Sequence, residues 1–410
     1  MGDFYQTEVI STLHRLRKNN VEQLEEELKE YSRHSPIALI LPSLFSELQG
    51  KALKNIVTEL AQVNYLNEIV VTLGNANDDE FKHAKEFFSV LPQKIKIIWN
   101  DGGRIKSIIS LLEENGLFLG EPGKGRAAWI AYGYVLAEES SEVITLHDCD
   151  ILSYSRELLA RLCYPVANPN LGYEFCKGYY QRVTDRMYGR VTRLFITPII
   201  RSLQKILGYL PFLVYLDSYR YPLAGEFSMD VDLARVNRIP SDWGLEVGVL
   251  AEVFRNVSPK RICQADLCDN YEHKHQNLSS NNPEGGLLKM CVDISKSLFR
   301  TLASEGVTFS DGFFSTLMST YLRTAQDTIK RTAQDTIKRY SDDAIINDLI
   351  FDRHDEGLAV ETFVKGLRIA SRSFIEDPLG SPLIPNWNRV TSAIPNILEQ
   401  LLQSVDEDNA

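Results

Sequence analysis

Apolar positions along the chain fall into two regimes. From residue 36 to about 150, short runs of β-branched and aliphatic residues alternate with stretches whose apolar residues recur at helical spacing. IALIL (Ile37–Leu41), EIVVTL (Glu68–Leu73), IKIIW (Ile95–Trp99) and EVITLHDCD (Glu142–Asp150) read as strands. Helices are predicted between and after them, over 48–63, 79–90, 104–115 and 124–138. Repeated strand–helix units predict an α/β fold, a mainly parallel sheet with helices on both faces, whose ligands sit beyond the carboxyl ends of the strands. Past residue 150 the alternation loosens. Strands are predicted over 171–183 and 261–270, helices over 192–207 and 245–257, a turn-rich break at 277–286, and a helical pattern from 287 to 370. Upstream, Val9, Leu13, Leu16, Leu24 and Leu28, with the charged EQLEEELKE stretch, predict one helix over 4–34. The acidic last ten residues predict a frayed end. The expected organisation is an N-terminal helix (1–35), an α/β domain (36–285) and a C-terminal helical region (286–410).

Charge narrows the function. Lys and Arg total 44 against 55 Asp and Glu, a net charge of -11. A duplex-wrapping or polybasic membrane-surface protein would carry the opposite sign, so neither nucleic acid nor membrane is expected as a partner. No run approaches the roughly 18 apolar residues a membrane span needs; Leu210–Leu216, beside Pro211, falls far short. The MGDFYQTEVIST start has no apolar core of a secretory signal, and Gln6 stands where myristoylation wants Ser or Thr. Cys149, Cys163, Cys176, Cys263, Cys268 and Cys291 form no CxxC pair and read as reduced thiols of a cytoplasm. The octet RTAQDTIK occupies 323–330 and recurs at 331–338. Eight added residues advance a helix by ~12 Å and turn its face by ~80°. The copy is therefore expected at an exposed helix end or in a looped-out segment.

Six short segments could carry chemistry. In HDCD (147–150), Asp148 and Asp150 stand two apart at a strand end and point to one side. Two close carboxylates need a cation or donors between them, and a DxD at this place suits a nucleoside diphosphate with a divalent ion; the bland reading is a turn or a helix N-cap. In EPGKGRAAW (121–129), Lys124 between two glycines opens a helix, which suits a phosphate, although no Walker loop is present. YEHKHQNL places His273 and His275 just past a strand, as metal ligands or as structural histidines. RMYGRVTRLF (186–195) gathers Arg186, Arg190 and Arg193 around Gly189, an anion grip or a solvated helix start at Thr192. PLAGEFSMD (222–230) reads as a strand-to-helix turn holding Gly225 and Glu226. DWGLEVGVL (242–250) sets Glu246 among apolar residues, where a carboxylate needs a partner or sits at a helix start.

Taken in order, ILPSL, GKG, DCD, GRVT, PLAGE, WGLEVG and HKHQN resemble the glucosyl-3-phosphoglycerate synthases, over roughly residues 36–285. The resemblance implies a GT-A fold, with a nucleotide-sugar half about 36–150, an acceptor half about 151–285 and a C-terminal helical extension. It implies a retaining, metal-dependent transferase that moves glucose from UDP-glucose to the 2-hydroxyl of 3-phosphoglycerate. Carried over residue by residue, Pro42, Ser43, Leu44 and Glu47 match the uridine loop and Lys124 the nucleotide-contacting lysine. Asp150 and His273 match the ligands of Mg²⁺ (or Mn²⁺ or Co²⁺), and Asp148 the ribose-side acid. Leu223, Gly225 and Glu226 match the turn at the sugar. Gly189, Arg190 and Thr192 match the acceptor-phosphate segment, and Glu246 a positioning carboxylate. The chain departs from the pattern at TLGNAND (72–78), where relatives carry an Asp-rich turn, and at His275, where they carry Asn and where acceptor contact is expected. A cytoplasmic homodimer making a precursor of the compatible solute glucosylglycerate is the further expectation. The alternatives are GDP-mannose or unphosphorylated glycerate as substrates on the same scaffold, or a nucleotide-sugar-binding regulator without turnover.

Overall fold

Eight strands form one sheet in this computed structural model, which describes residues 5–7, 9–17, 20–273, 277–280, 282–329, 340–379 and 383–410. They are β1 (Ser11–Leu13), β2 (Ile37–Leu44), β3 (Leu66–Gly74), β4 (Lys94–Trp99), β5 (Val143–Leu146), β6 (Phe175–Tyr179), β7 (Phe227–Asp230) and β8 (Ile262–Asp266). Their spatial order is β1-β8-β6-β7-β5-β2-β3-β4. All pairs are parallel except those of β7, which runs antiparallel to both β5 and β6.

The near-continuous apolar runs of β2 and β5 follow from burial on both faces. Ala38 and Ile40 enter one core, which also takes in the helix Lys124–Glu138 and the C-terminal helices. Ile37, Leu39 and Leu41 enter the other, with the helices Lys51–Leu60, Asp78–Phe88 and Arg156–Ala167. The C-terminal region docks on the first core through stacked Trp129 and Trp387, their ring centroids 4.1 Å apart. Gly133 makes room for this stack, since a Cβ there would meet Trp387 at 2.0 Å.

Several expectations are corrected. The single helix over 4–34 is instead β1, which adds to the sheet beside β8, followed by the helix Val21–Tyr31. β2 does not end with IALIL at Leu41 but runs through Pro42 to Leu44. β5 pairs only as far as Ile40, so the missing Pro42 N–H falls where that neighbour has ended. The strands predicted over 142–150, 171–183 and 261–270 are shorter, because their polar ends leave the sheet as loops. PLAGEFSMD is a turn feeding β7, not a turn from strand to helix. The helix predicted over 192–207 begins with a π-helical turn, Val191–Ile196, and continues as Thr197–Leu207. The first RTAQDTIK copy ends the helix Asp311–Ile329; the second lies outside the described residues.

The acidic terminus is also ordered. Ile397–Asn409 is a helix lying along β4, one of the two edge strands of the sheet. Asn409 accepts from the Ile97 N–H at 2.9 Å and donates to its carbonyl at 2.8 Å. Lys96 pairs with Asp406 at 2.5 Å, and Arg104 with Glu407 at 2.9 Å and Asp408 at 2.7 Å. The acids expected to fray the end instead cover an open sheet edge.

Candidate active site

Where β5 stops, the chain turns across the carboxyl edge of the sheet and presents HDCD. His147 is fully buried and donates through Nδ1 to the Asp148 carbonyl at 2.9 Å; burial pushes its imidazole down to about 4, so it stays neutral. Cys149 enters the core that contains β2's Leu41, against the Ser43 hydroxyl, and Asp148 faces the other side. Ser43 is buried and donates to the Leu44 carbonyl at 3.1 Å, while Leu44 is exposed. Pro42, Ser43 and Leu44 thus end β2 beside HDCD, and Glu47 follows in the short helix Phe45–Leu48.

Asp148 meets Lys124 at 2.6 Å, and the same ammonium reaches Glu246 at 3.0 Å. Burial alone would raise the Asp148 carboxyl; the lysine beside it holds it below the usual range. Burial likewise works against the Lys124 charge, but the two carboxylates keep it well above an ordinary lysine. Two approaches assemble this cluster. A Cβ at Gly125 would lie 1.9 Å from the Pro240 carbonyl and one at Gly123 2.4 Å from that of Ser241. These glycines let the 240–242 loop lie against the start of the Lys124 helix, which brings Glu246, in the first turn of the helix Leu245–Asn256, onto Lys124. A Cβ at Gly225 would meet the Asp148 carboxylate at 2.5 Å, so glycine lets the 223–226 turn approach without displacing that carboxylate.

Asp150 lies on the same edge. Ile151 and His273 form an antiparallel bridge, and Leu152 N–H donates to the Glu272 carbonyl at 2.7 Å. This pairing sets Asp150 Oδ2 3.4 Å from His273 Nδ1. Asp150 Oδ1 is enclosed, with no hydrogen-bond partner among the described residues. An oxygen–nitrogen pair with one oxygen unsatisfied fits a divalent cation. No group of three or more His, Cys, Asp or Glu that could hold a metal occurs among the described residues, so further ligands would come from substrate and water. His275 lies outside the described residues.

A cleft of about 500 Å³ joins these groups to the arginine segment. Lys124, Asp148, Glu246, Leu223, Gly225 and His273 line one part; Gly189, Arg190 and Thr192 line another. Gly189 has φ 73°, the left-handed turn that starts the π-helical segment, and Thr192 is buried within it. Arg190 Nε donates to Glu356 at 3.2 Å, and Arg193, itself buried, donates to the same carboxylate at 2.8 Å. Glu226 is fully enclosed and accepts from Tyr180 at 2.7 Å and Tyr271 at 2.5 Å, two rings stacked 3.7 Å apart. Burial, then the Asp148 charge, hold its carboxyl above the ordinary range.

Four participants were not singled out from the sequence. Glu356 comes from the helix Arg353–Glu376, with no local signal. Tyr180 falls inside the strand predicted over 171–183 and Tyr271 just past the one over 261–270, and neither carries a chemical signal of its own. Lys177 was detectable, as a lone charge in the apolar run FCKGY.

No protein-family model matches the chain. Across 410 residues it is 48% identical to the glucosyl-3-phosphoglycerate synthase of Persephonella marina, covering 100% of both chains. It is 39% identical to that of Methanococcoides burtonii, over 99% of this chain and 98% of the other. Among solved structures, glucosyl-3-phosphoglycerate synthase from Mycobacterium tuberculosis in complex with Mn²⁺, UDP-glucose and phosphoglyceric acid aligns with TM-score 0.53 at 20% identity, over 73% of this chain and 89% of that one. Mannosyl-3-phosphoglycerate synthase from Rubrobacter xylanophilus aligns with TM-score 0.54 at 21% identity, over 74% and 85%. The structural likenesses show the fold, a GT-A arrangement with a helical C-terminal part; the two full-length sequence relatives carry the assignment further. The chain belongs to the glucosyl-3-phosphoglycerate synthase family.

Proposed function

We propose that the cleft transfers glucose from UDP-glucose to the 2-hydroxyl of 3-phosphoglycerate, with retention at the anomeric carbon. The observation that carries this reading is the meeting of Asp150 and His273 at the sheet's carboxyl edge, with one carboxylate oxygen unsatisfied. A divalent cation (Mg²⁺, or Mn²⁺ or Co²⁺ in its place) bound there supplies charge neutralisation for a departing diphosphate. Pro42, Ser43, Leu44 and Glu47 hold the uridine side, and Asp148 the ribose. Lys124 offers its ammonium to the diphosphate, and Asp148 and Glu246 fix where that ammonium points. Leu223, Gly225 and Glu226 shape the sugar's seat. Glu246 orients hydroxyls and is not required as a nucleophile, since the attacking hydroxyl can pass its proton to the leaving phosphate oxygen on the same face. Gly189, Arg190 and Thr192 seat the acceptor phosphate, and positioning supplies much of the rate. His275 is assigned to the acceptor side.

The test is product formation by the purified protein with Mg²⁺, UDP-glucose and 3-phosphoglycerate. Glucosyl-3-phosphoglycerate is the expected product. Equal or better turnover with GDP-mannose or with unphosphorylated glycerate would overturn the substrate assignment, and binding without transfer would favour a regulator. Arg190→Ala is expected to raise the acceptor KM about 10-fold or more, the size of a lost charge-assisted contact, with the donor KM little changed. An unaltered acceptor KM removes Arg190 from the site.

The reading extends to a homodimer in the cytoplasm, feeding compatible-solute synthesis. All six cysteines are free, which suits a reducing compartment. Among the described residues no helix is long and apolar enough to cross a membrane. The same reading keeps 36–285 as the catalytic unit, split near 150, with 286–410 as its helical extension.

A further inference from the structure

Lys177 is a buried cation that the scheme above does not use. It lies on β6 opposite Phe227 of β7, and its side chain is 0% exposed. Nζ donates to the Ala224 carbonyl at 2.5 Å and lies 5.3 Å from the Phe227 ring centroid. The ammonium has three N–H donors, and this carbonyl is its single hydrogen-bond partner among the described residues. A charge so enclosed is costly unless neighbouring charges offset it. The charged groups around it come from four elements: Glu246 from the helix Leu245–Asn256, Glu226 from the turn before β7, Lys124 from the helix Lys124–Glu138, and Asp148 from the segment after β5. Three carboxyls thus face two ammonium groups. The carbonyl that Lys177 holds belongs to the residue before Gly225, the glycine that touches Asp148. The next backbone step is held by the same strand, since Gly178 N–H donates to the Glu226 carbonyl at 2.9 Å.

We propose that Lys177 is a positioning residue of the donor site: it fixes the 224–226 turn against Asp148 and supplies the second positive charge that lets this acidic cluster accept a nucleoside diphosphate. Without it, three carboxyls would face Lys124 alone, and a diphosphate would approach a more negative wall. The proposal rests on the donor reading given above. Proton loss from Lys177 has the same consequence as its removal. Burial lowers its ammonium to about 8, against Glu246 and Glu226, which raise it. The charge is therefore present at neutral pH and lost as pH climbs through that value, and diphosphate affinity should follow.

The experiment is calorimetric titration of UDP with Mg²⁺ into the full chain, for wild type and Lys177→Met, with the acceptor KM measured alongside. Lys177→Met is expected to weaken UDP binding about 10-fold or more at pH 7 while changing the acceptor KM less than about 3-fold. Wild-type affinity is expected to fall between pH 7 and 8.8, and that of the variant to change less; the variant also corrects for titration of ligand and metal. UDP affinity equal to wild type in the variant overturns the proposal, as does equal damage to donor and acceptor. If the variant does not fold, a wild-type affinity that is flat across this range overturns it. Wild-type protein that fails to bind UDP removes the donor reading as well, which separates the two failures.

Discussion

Asp150→Ala is expected to lower kcat by about 10³-fold or more at saturating Mg²⁺, with the fold unchanged. The side chain is one of the two ligands proposed for the cation, and its partner is a single imidazole 3.4 Å away. Removing it leaves one protein ligand, too few to order the ion where a diphosphate departs. The fold should not suffer. Asp150 Oδ1 is enclosed without a hydrogen-bond partner among the described residues, so the carboxylate is a cost in the ligand-free protein. Thermal unfolding separates the two effects. Without ligands the variant should melt at or slightly above the wild-type temperature. Addition of UDP with Mn²⁺ should raise the melting temperature of wild type and not that of the variant. A variant that turns over normally in Mg²⁺, or that gains the same thermal stabilisation, places the cation elsewhere.

How far the sequence carried depends on the residues concerned. β2, β3 and β5 were legible because burial on both faces makes such strands continuous apolar runs. β1 was not, because three residues, Ser11-Thr12-Leu13, carry no periodicity; their partner β8 decides their conformation. β7 was hidden for a similar reason: FSMD is four residues, and pairing with β5 and β6 holds it extended. The terminal helix was missed because DEDNA looks solvent-loving. Its acids find Lys96 and Arg104, a tertiary pairing no local pattern announces.

The site divides in the same way. HDCD and HKHQN showed as residue types, and 123 positions separate Asp150 from His273; the Ile151–His273 bridge brings them together. The glycines around Lys124 read as a phosphate cradle, yet in the structure they clear space for the 240–242 loop. That is a packing role, visible only once the partner backbone is placed. It serves the chemistry indirectly, by delivering Glu246 to Lys124. Lys177 had the clearest overlooked signal, since a charge within a fully buried strand requires a reason.

Glu356→Ala is expected to destabilise the protein by about 3–5 kcal/mol, the cost of leaving a buried charge without its counter-ion. Glu356 is buried, as is Arg193, and that guanidinium also donates to the Tyr188 carbonyl at 3.1 Å and lies 5.1 Å from the Tyr340 ring centroid. Truncating Glu356 strands Arg193 in place, because these contacts keep it from turning out to water. The origin of the loss can be checked by chemical denaturation of a double variant. Arg193→Met with Glu356→Leu should recover most of the stability, since apolar residues of similar volume can replace a buried pair at little cost. If the double variant is no more stable than Glu356→Ala, the loss arises from packing and not from an unpaired charge. The same carboxylate also holds Arg190 through Nε, so the C-terminal helix Arg353–Glu376 sets the pose of the arginine proposed for the acceptor phosphate. Glu356→Gln, which keeps the shape and an acceptor oxygen, should lose less stability yet raise the acceptor KM more than the donor KM. Such a split would tie the helical extension to acceptor recognition; equal changes in both constants would confine it to holding the fold.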